Sequence, residues 1–135
     1  MVAAKPIKIP AKWRKLLKLI PGYDPLCMRQ PGDWFDAEAA DHVCDYYPAM
    51  LKHVESVKGT PSGSPFVLSP WQQAVWGCLF GFKGADNLRC YRTVFIYVPK
   101  KNGKTAWCAG LIPYMLADST MAENGRRMFS AASSF

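Results

Sequence analysis

The segment Val98-Pro99-Lys100-Lys101-Asn102-Gly103-Lys104-Thr105 has the residue types and spacing of a phosphate-binding loop. Gly103 lets backbone approach an anion with no Cβ in the way. Asn102 tolerates the left-handed backbone that anion-binding nests require. Lys104 matches the lysine that neutralises outer phosphates, and the Thr105 hydroxyl matches a Mg²⁺ ligand. Helix N-termini add backbone N–H donors and partial positive charge at such a junction. Val98 stands where the G-x-x-x-x-G-K-[ST] pattern has its first glycine. The competing reading of Gly-Lys-Thr is a plain turn at a helix start.

The flanking elements have to place this loop. Before it, Thr93-Val94-Phe95-Ile96-Tyr97-Val98 is β-branched, aromatic and apolar on both faces, which predicts a central parallel strand. After it, Gly103 to about Ala117 reads as a helix with Pro113 inside it, where a ring crowds the carbonyl four residues back. Polar, turn-like residues 118–125 follow, and Arg127 to Ala132 reads as the start of a second strand. Upstream, Ser69 and Pro70 form a helix start signal, with Gln72 at the reciprocal capping-box position and the helix running to about Phe80. Asp36 reads as an N-cap for a helix from Ala37 to Val57, kinked or split at Pro48, with Ala39, Ala40, Val43, Tyr46, Tyr47, Met50, Leu51 and Val54 as its buried stripe. His42 and His53 read as ordinary residues of that helix. Gly59 to Pro65 reads as a linker. Trp13, Leu16, Leu17 and Ile20 share one face of a helix over 12–20, stopped by Pro21-Gly22.

Charge and cysteine content narrow the function classes. Of the net charge of +7, residues 1–23 supply +6 through Lys5, Lys8, Lys12, Arg14, Lys15 and Lys18, with no acid among them. Such a segment suits nucleic acid or an acidic partner, or is the solvated face of a helix whose apolar side is buried. Five cysteines at 27, 44, 78, 90 and 108 contain no C-x-x-C pair and read as reduced thiols of a cytoplasmic protein. No apolar run approaches a membrane span, so no membrane partner is expected.

Several strings occur in an order that resembles the large terminase subunit of tailed bacteriophages. These are Phe66-Val67-Leu68-Ser69-Pro70-Trp71-Gln72, then Leu79-Phe80-Gly81-Phe82, then Arg89 to Thr105. Trp34-Phe35-Asp36 with Ala39-Ala40-Asp41, and Phe129-Ser130-Ala131-Ala132, extend the likeness over about residues 30–135. The resemblance implies an ATP- and Mg²⁺-dependent P-loop motor that packages double-stranded viral DNA into a procapsid. It also implies a small terminase subunit and a portal as partners, homo-oligomerisation, and a metal-dependent nuclease. By this likeness Gln72 contacts the adenine edge, Lys101, Asn102, Gly103 and Lys104 hold phosphate, and Thr105 holds Mg²⁺. Lys104 and Lys100 are the catalytic cations, Lys100 standing where the family has an arginine whose planar fork an ammonium does not reproduce.

The expectation is therefore an α/β chain with three parts. Residues 1–23 form a basic arm, 24–65 a helical region with linker, and 66–135 the opening β–P-loop–α–β unit of an incomplete parallel-sheet ATPase core. The acidic Walker B strand and nuclease carboxylates are not in the sequence, so nucleotide binding without hydrolysis or DNA cleavage is expected. Two alternatives stand beside it. One is a non-catalytic DNA- or partner-binding domain using the basic helix; the other is a different P-loop ATPase such as a helicase.

Overall fold

The computed structural model describes residues 7–27, 30–53, 59–101 and 103–117. The chain divides into two units, Met1–Ile96 and Tyr97–Phe135.

In the first unit, α1 (Ala11–Leu17) begins after Pro10 and buries Trp13 and Leu17, spaced i, i+4 on one face. It ends earlier than the expected 12–20 helix, and Lys18 and Leu19 turn toward Pro21-Gly22. Its apolar face lies against α3 (Pro70–Gly81). The Trp13 ring sits over Gly77, where a Cβ would overlap it. Trp13 Nε1 donates to Asp41 Oδ1 at 3.1 Å, and Lys12 Nζ donates to the same oxygen at 2.7 Å. Asp41 lies on α2 (Ala37–Met50), so one carboxylate ties two helices together. The burial reading of this helix therefore holds for Trp13 and Leu17.

Asp36 caps α2 as expected, its Oδ1 accepting from Ala39 N at 3.1 Å. The helix passes through Pro48 and ends at Met50 rather than Val57; residues 54–58 lie outside the described set. Ala40, Val43, Cys44 and Tyr47 form its buried stripe. Of the other expected members Ala39, Tyr46 and Leu51 are half-buried, Met50 at the helix end is exposed, and Val54 lies outside the described residues. His42 is an exposed helix residue, whereas His53 lies beyond the helix end and stacks on Phe66, ring centroids 4.7 Å apart. The described part of the expected linker is pinned rather than free. His53 N donates to Ser64 O, Gly63 N to His53 O, and Phe66 N to Leu51 O.

The central element is α3. Ala74 and every residue from Trp76 to Gly81 are buried, so it is apolar nearly all round, as a helix surrounded by others must be. Its N-terminal signals act as read: Ser69 is the N-cap, Pro70 the first helical residue, and Gln72 Oε1 accepts from Ser69 N at 3.0 Å.

The expected parallel sheet is not what forms. The sheet among the described residues is a two-stranded antiparallel pair, β1 (Trp34–Phe35) with β2 (Phe82–Lys83), in the register Trp34↔Lys83 and Phe35↔Phe82. Thr93–Val98 joins no ladder, with Phe95 88% and Tyr97 91% exposed. A central parallel strand needs neighbours bonded along both edges. Apolar side chains suit that setting without supplying the partner strands. The β–P-loop–α–β unit of a parallel sheet is thereby corrected, among the described residues, to four α-helices, a short 3-10 turn at Pro25–Cys27 and one small antiparallel pair. The expected second strand, 127–132, lies outside the described residues.

After β2 the chain makes a tight reversal. Gly84 N donates to Leu88 O, Asn87 N to Gly84 O, and Asn87 adopts φ of +62°. Arg89 then bridges back to Lys83. In the second unit, α4 (Lys104–Ala117) runs through Pro113 without ending there, and Trp107, Gly110 and Tyr114 are buried. Among the described residues, no helix is long and apolar enough to cross a membrane.

Candidate functional site

The loop and the helix it opens are built by local backbone rules. Pro99 and Lys100 are exposed; Lys101 and Gly103 both adopt φ of +66°, the left-handed region. Glycine enters that region at no steric cost, whereas a lysine does so against a penalty of roughly 1 kcal/mol. Asn102, between them, lies outside the described residues. Trp107 N donates to Gly103 O at 3.0 Å, which makes Gly103 the acceptor of the first helical turn. The first N–H groups of any α-helix have no partner within it, and they point out of its N-terminus. Here that terminus carries Lys104 and Thr105, both exposed, and the space where a Cβ of Gly103 would stand is open to at least 4 Å.

Lys100, Lys101, Gly103, Lys104 and Thr105 therefore share one exposed turn and the first turn of a 14-residue helix. An anion there would meet backbone N–H groups, the positive end of the helix dipole and up to three lysines. One helical turn on, burial raises the Cys108 thiol above its ordinary range while the Lys104 ammonium pulls it down.

Gln72 belongs to the first unit. It is 8% exposed, and its Oε1 is engaged by the Ser69 N–H at the start of α3. Reading an adenine edge takes an acceptor and a donor from one amide, and here one of the two Oε1 lone pairs serves the helix cap. Trp71 beside it is half-buried. Gln73, adjacent in sequence, donates through Nε2 to Leu68 O at 2.8 Å and so fixes the approach to the helix.

The five cysteines are all free thiols. Cys44 and Cys78 are buried, and loss of hydration pushes both up to about 12. Neither has the thiolate character of a nucleophile. Among the described residues, no group of three His, Cys, Asp or Glu side chains is disposed to hold a metal ion.

The left-handed Lys101 was not legible in the sequence, because lysine carries no preference for that backbone region. No family model matches the chain, and no curated protein or solved structure matches it.

Proposed function

We propose that this chain is a terminase large subunit-like protein whose loop 98–105 binds the phosphates of ATP together with Mg²⁺. The observation that carries the reading is the pair of left-handed residues, Lys101 and Gly103, leading into an exposed helix N-terminus that bears Lys104 and Thr105. A lysine held left-handed is the kind of local strain that collects at ligand-binding turns. The order of the Pro70-Trp71-Gln72, Leu79-Phe80-Gly81-Phe82 and Gly103-Lys104-Thr105 strings supports the terminase-like assignment. On this reading Lys104 and Lys100 face the outer phosphates and Thr105 faces the metal. Double-stranded DNA, a small terminase subunit and a portal are the partners, and the host cytoplasm is the setting.

The test is isothermal titration with ATP in the presence and absence of Mg²⁺. Saturable binding, weakened at least about tenfold by Lys104→Ala, is expected. Thr105→Val is expected to remove the Mg²⁺ dependence while leaving metal-free binding intact. Binding that ignores both substitutions would sink the assignment.

A second reading rests on a separate observation. Lys8, Arg14, Lys15 and Lys18 are exposed and form no ion pair among the described residues, whereas Lys12 is matched to Asp41. With Trp13 and Leu17 buried, charge is what the outer face of α1 offers a partner, which suits a polyanion such as DNA. Four phosphate contacts predict a slope of log K against log salt near about −3.6. Substituting the four by Gln should flatten it, and Lys12→Gln should not.

A further inference from the structure

The first unit contains a cleft of about 420 Å³ where three stretches of chain meet: Tyr23 to Pro25, Gln30 to Asp33, and Phe82 to Arg92. Ligand-binding clefts of this size combine apolar walls with a few converging polar groups. Here the walls are Tyr23, Phe82 and Tyr91. The two tyrosine hydroxyls are hydrogen-bonded at 2.8 Å, and Tyr91 stands edge-on to Phe82 with ring centroids 6.1 Å apart. Burial, and then the Tyr23 hydroxyl, hold the Tyr91 phenol well above its ordinary range, so it stays neutral.

The polar groups carry both signs. A Cβ placed on Gly84 would lie 3.0 Å from Asp86 Oδ1 and 3.8 Å from Asp33 Oδ1, so both carboxylates face one point. Arg89 and Arg92 line the same cleft. The Arg89 guanidinium lies over the Phe80 ring, 5.3 Å from its centroid. Among the described residues neither carboxylate forms an ion pair with either arginine. Asp33 Oδ2 accepts from Gln30 N and Asp86 Oδ1 from Leu88 N, which leaves lone pairs on both carboxylates for a ligand. Cys90, beside them, is held protonated, first by burial and then by the Asp33 carboxylate.

We infer that this cleft binds a small zwitterion with an aromatic or apolar body, an α-amino acid or a short peptide. Its ammonium group meets Asp33 and Asp86, its carboxylate meets Arg89 and Arg92, and its body lies along Tyr23 and Tyr91. A ligand of one sign satisfies half of the cleft and leaves the other charges opposite its apolar body, which costs desolvation without return. The inference is independent of phosphate binding at loop 98–105.

Three matched probes test it by amide chemical-shift titration of the full chain: L-phenylalanine, phenethylamine (the ammonium end alone) and 3-phenylpropionate (the carboxylate end alone). L-phenylalanine is expected to bind with a Kd on the order of 1 mM, at least about tenfold tighter than either half. Shifts should centre on Tyr23, Gly84 and Tyr91. Asp86→Asn should weaken phenylalanine and phenethylamine and spare phenylpropionate. Arg92→Gln should weaken phenylalanine and phenylpropionate and spare phenethylamine. Both side chains are exposed, and Asn keeps an oxygen for the Leu88 N–H, so neither change disturbs the fold. Absence of saturation by all three probes up to about 20 mM overturns the inference. So does equal affinity for phenylalanine and one of its halves, or indifference to both substitutions.

Discussion

Gly77→Ala sets two opposing effects against each other, and the structure decides the sign. In an exposed helix interior the change from Gly to Ala stabilises by about 1 kcal/mol through backbone entropy. At position 77 the added methyl meets the ring of Trp13, which is 1% exposed. Overpacking of this kind costs about 1–3 kcal/mol, and the overlap with several ring atoms puts it at the upper end. Displacing the ring also strains its Nε1–H bond to Asp41, worth about another 1 kcal/mol. The net expectation is a loss of about 3 kcal/mol, or roughly 10 °C in Tm. Urea unfolding followed by circular dichroism measures it. In a Trp13→Leu background the clash disappears, and the same substitution should turn stabilising by about 1 kcal/mol. If Gly77→Ala stabilises the chain with Trp13 in place, the account of α1 docking on α3 is refuted.

Three further outcomes follow from other contacts. For Asp36, burial pushes the carboxyl up, but the Lys83 ammonium at 2.6 Å and the Ala39 N–H outweigh it and hold the group below its ordinary value. Its contribution is thus present above the unfolded carboxylate range near pH 4 and lost as pH falls through the lower folded value. Asp36→Asn should cost about 1 kcal/mol at pH 7 and flatten this acid limb in urea melts at pH 3 to 7; an unchanged limb would assign it to other groups. With a chromogenic disulfide at pH 8, Cys27 and Cys90 are exposed and should react in the native state, though more slowly than a free thiol because Asp24 raises the first and burial with Asp33 the second. Cys44 and Cys78 should react only on unfolding, since burial pushes them up to about 12. Rapid native labelling at position 44 or 78 would contradict that burial. Lys12→Met should change stability by less than about 1 kcal/mol, because its pair with Asp41 is largely solvated; a larger loss in thermal melts would show that Asp41 depends on it.

Much of the helical framework was legible because the signals are local. Asp36 before Ala37 and Ser69-Pro70 with Gln72 each set a helix start through groups within four residues, and the structure uses both as read. Pro48 and Pro113 were less informative, since helix interiors retained by tertiary packing absorb a single missing N–H. The candidate loop divides in the same way. Gly103, Lys104 and Thr105 have the types and spacing found in phosphate-binding loops, but nothing in a lysine's side chain reveals that Lys101 is left-handed.

What the sequence determined by itself was where α2 and α3 start and how they are capped, part of the buried faces of α1 and α2, and the residue types present between 98 and 105. Tertiary structure alone decided strand pairing. Thr93–Val98 has strand composition, yet composition reports an affinity for burial and carries no information about a partner. β1 and β2 are two residues each, too short to show a period, and they meet because α2 and α3 bring Trp34-Phe35 beside Phe82-Lys83. The cleft at Gly84 is also invisible in one dimension, since only folding brings Tyr23 and Asp33 beside the stretch that carries Asp86, Arg89 and Arg92.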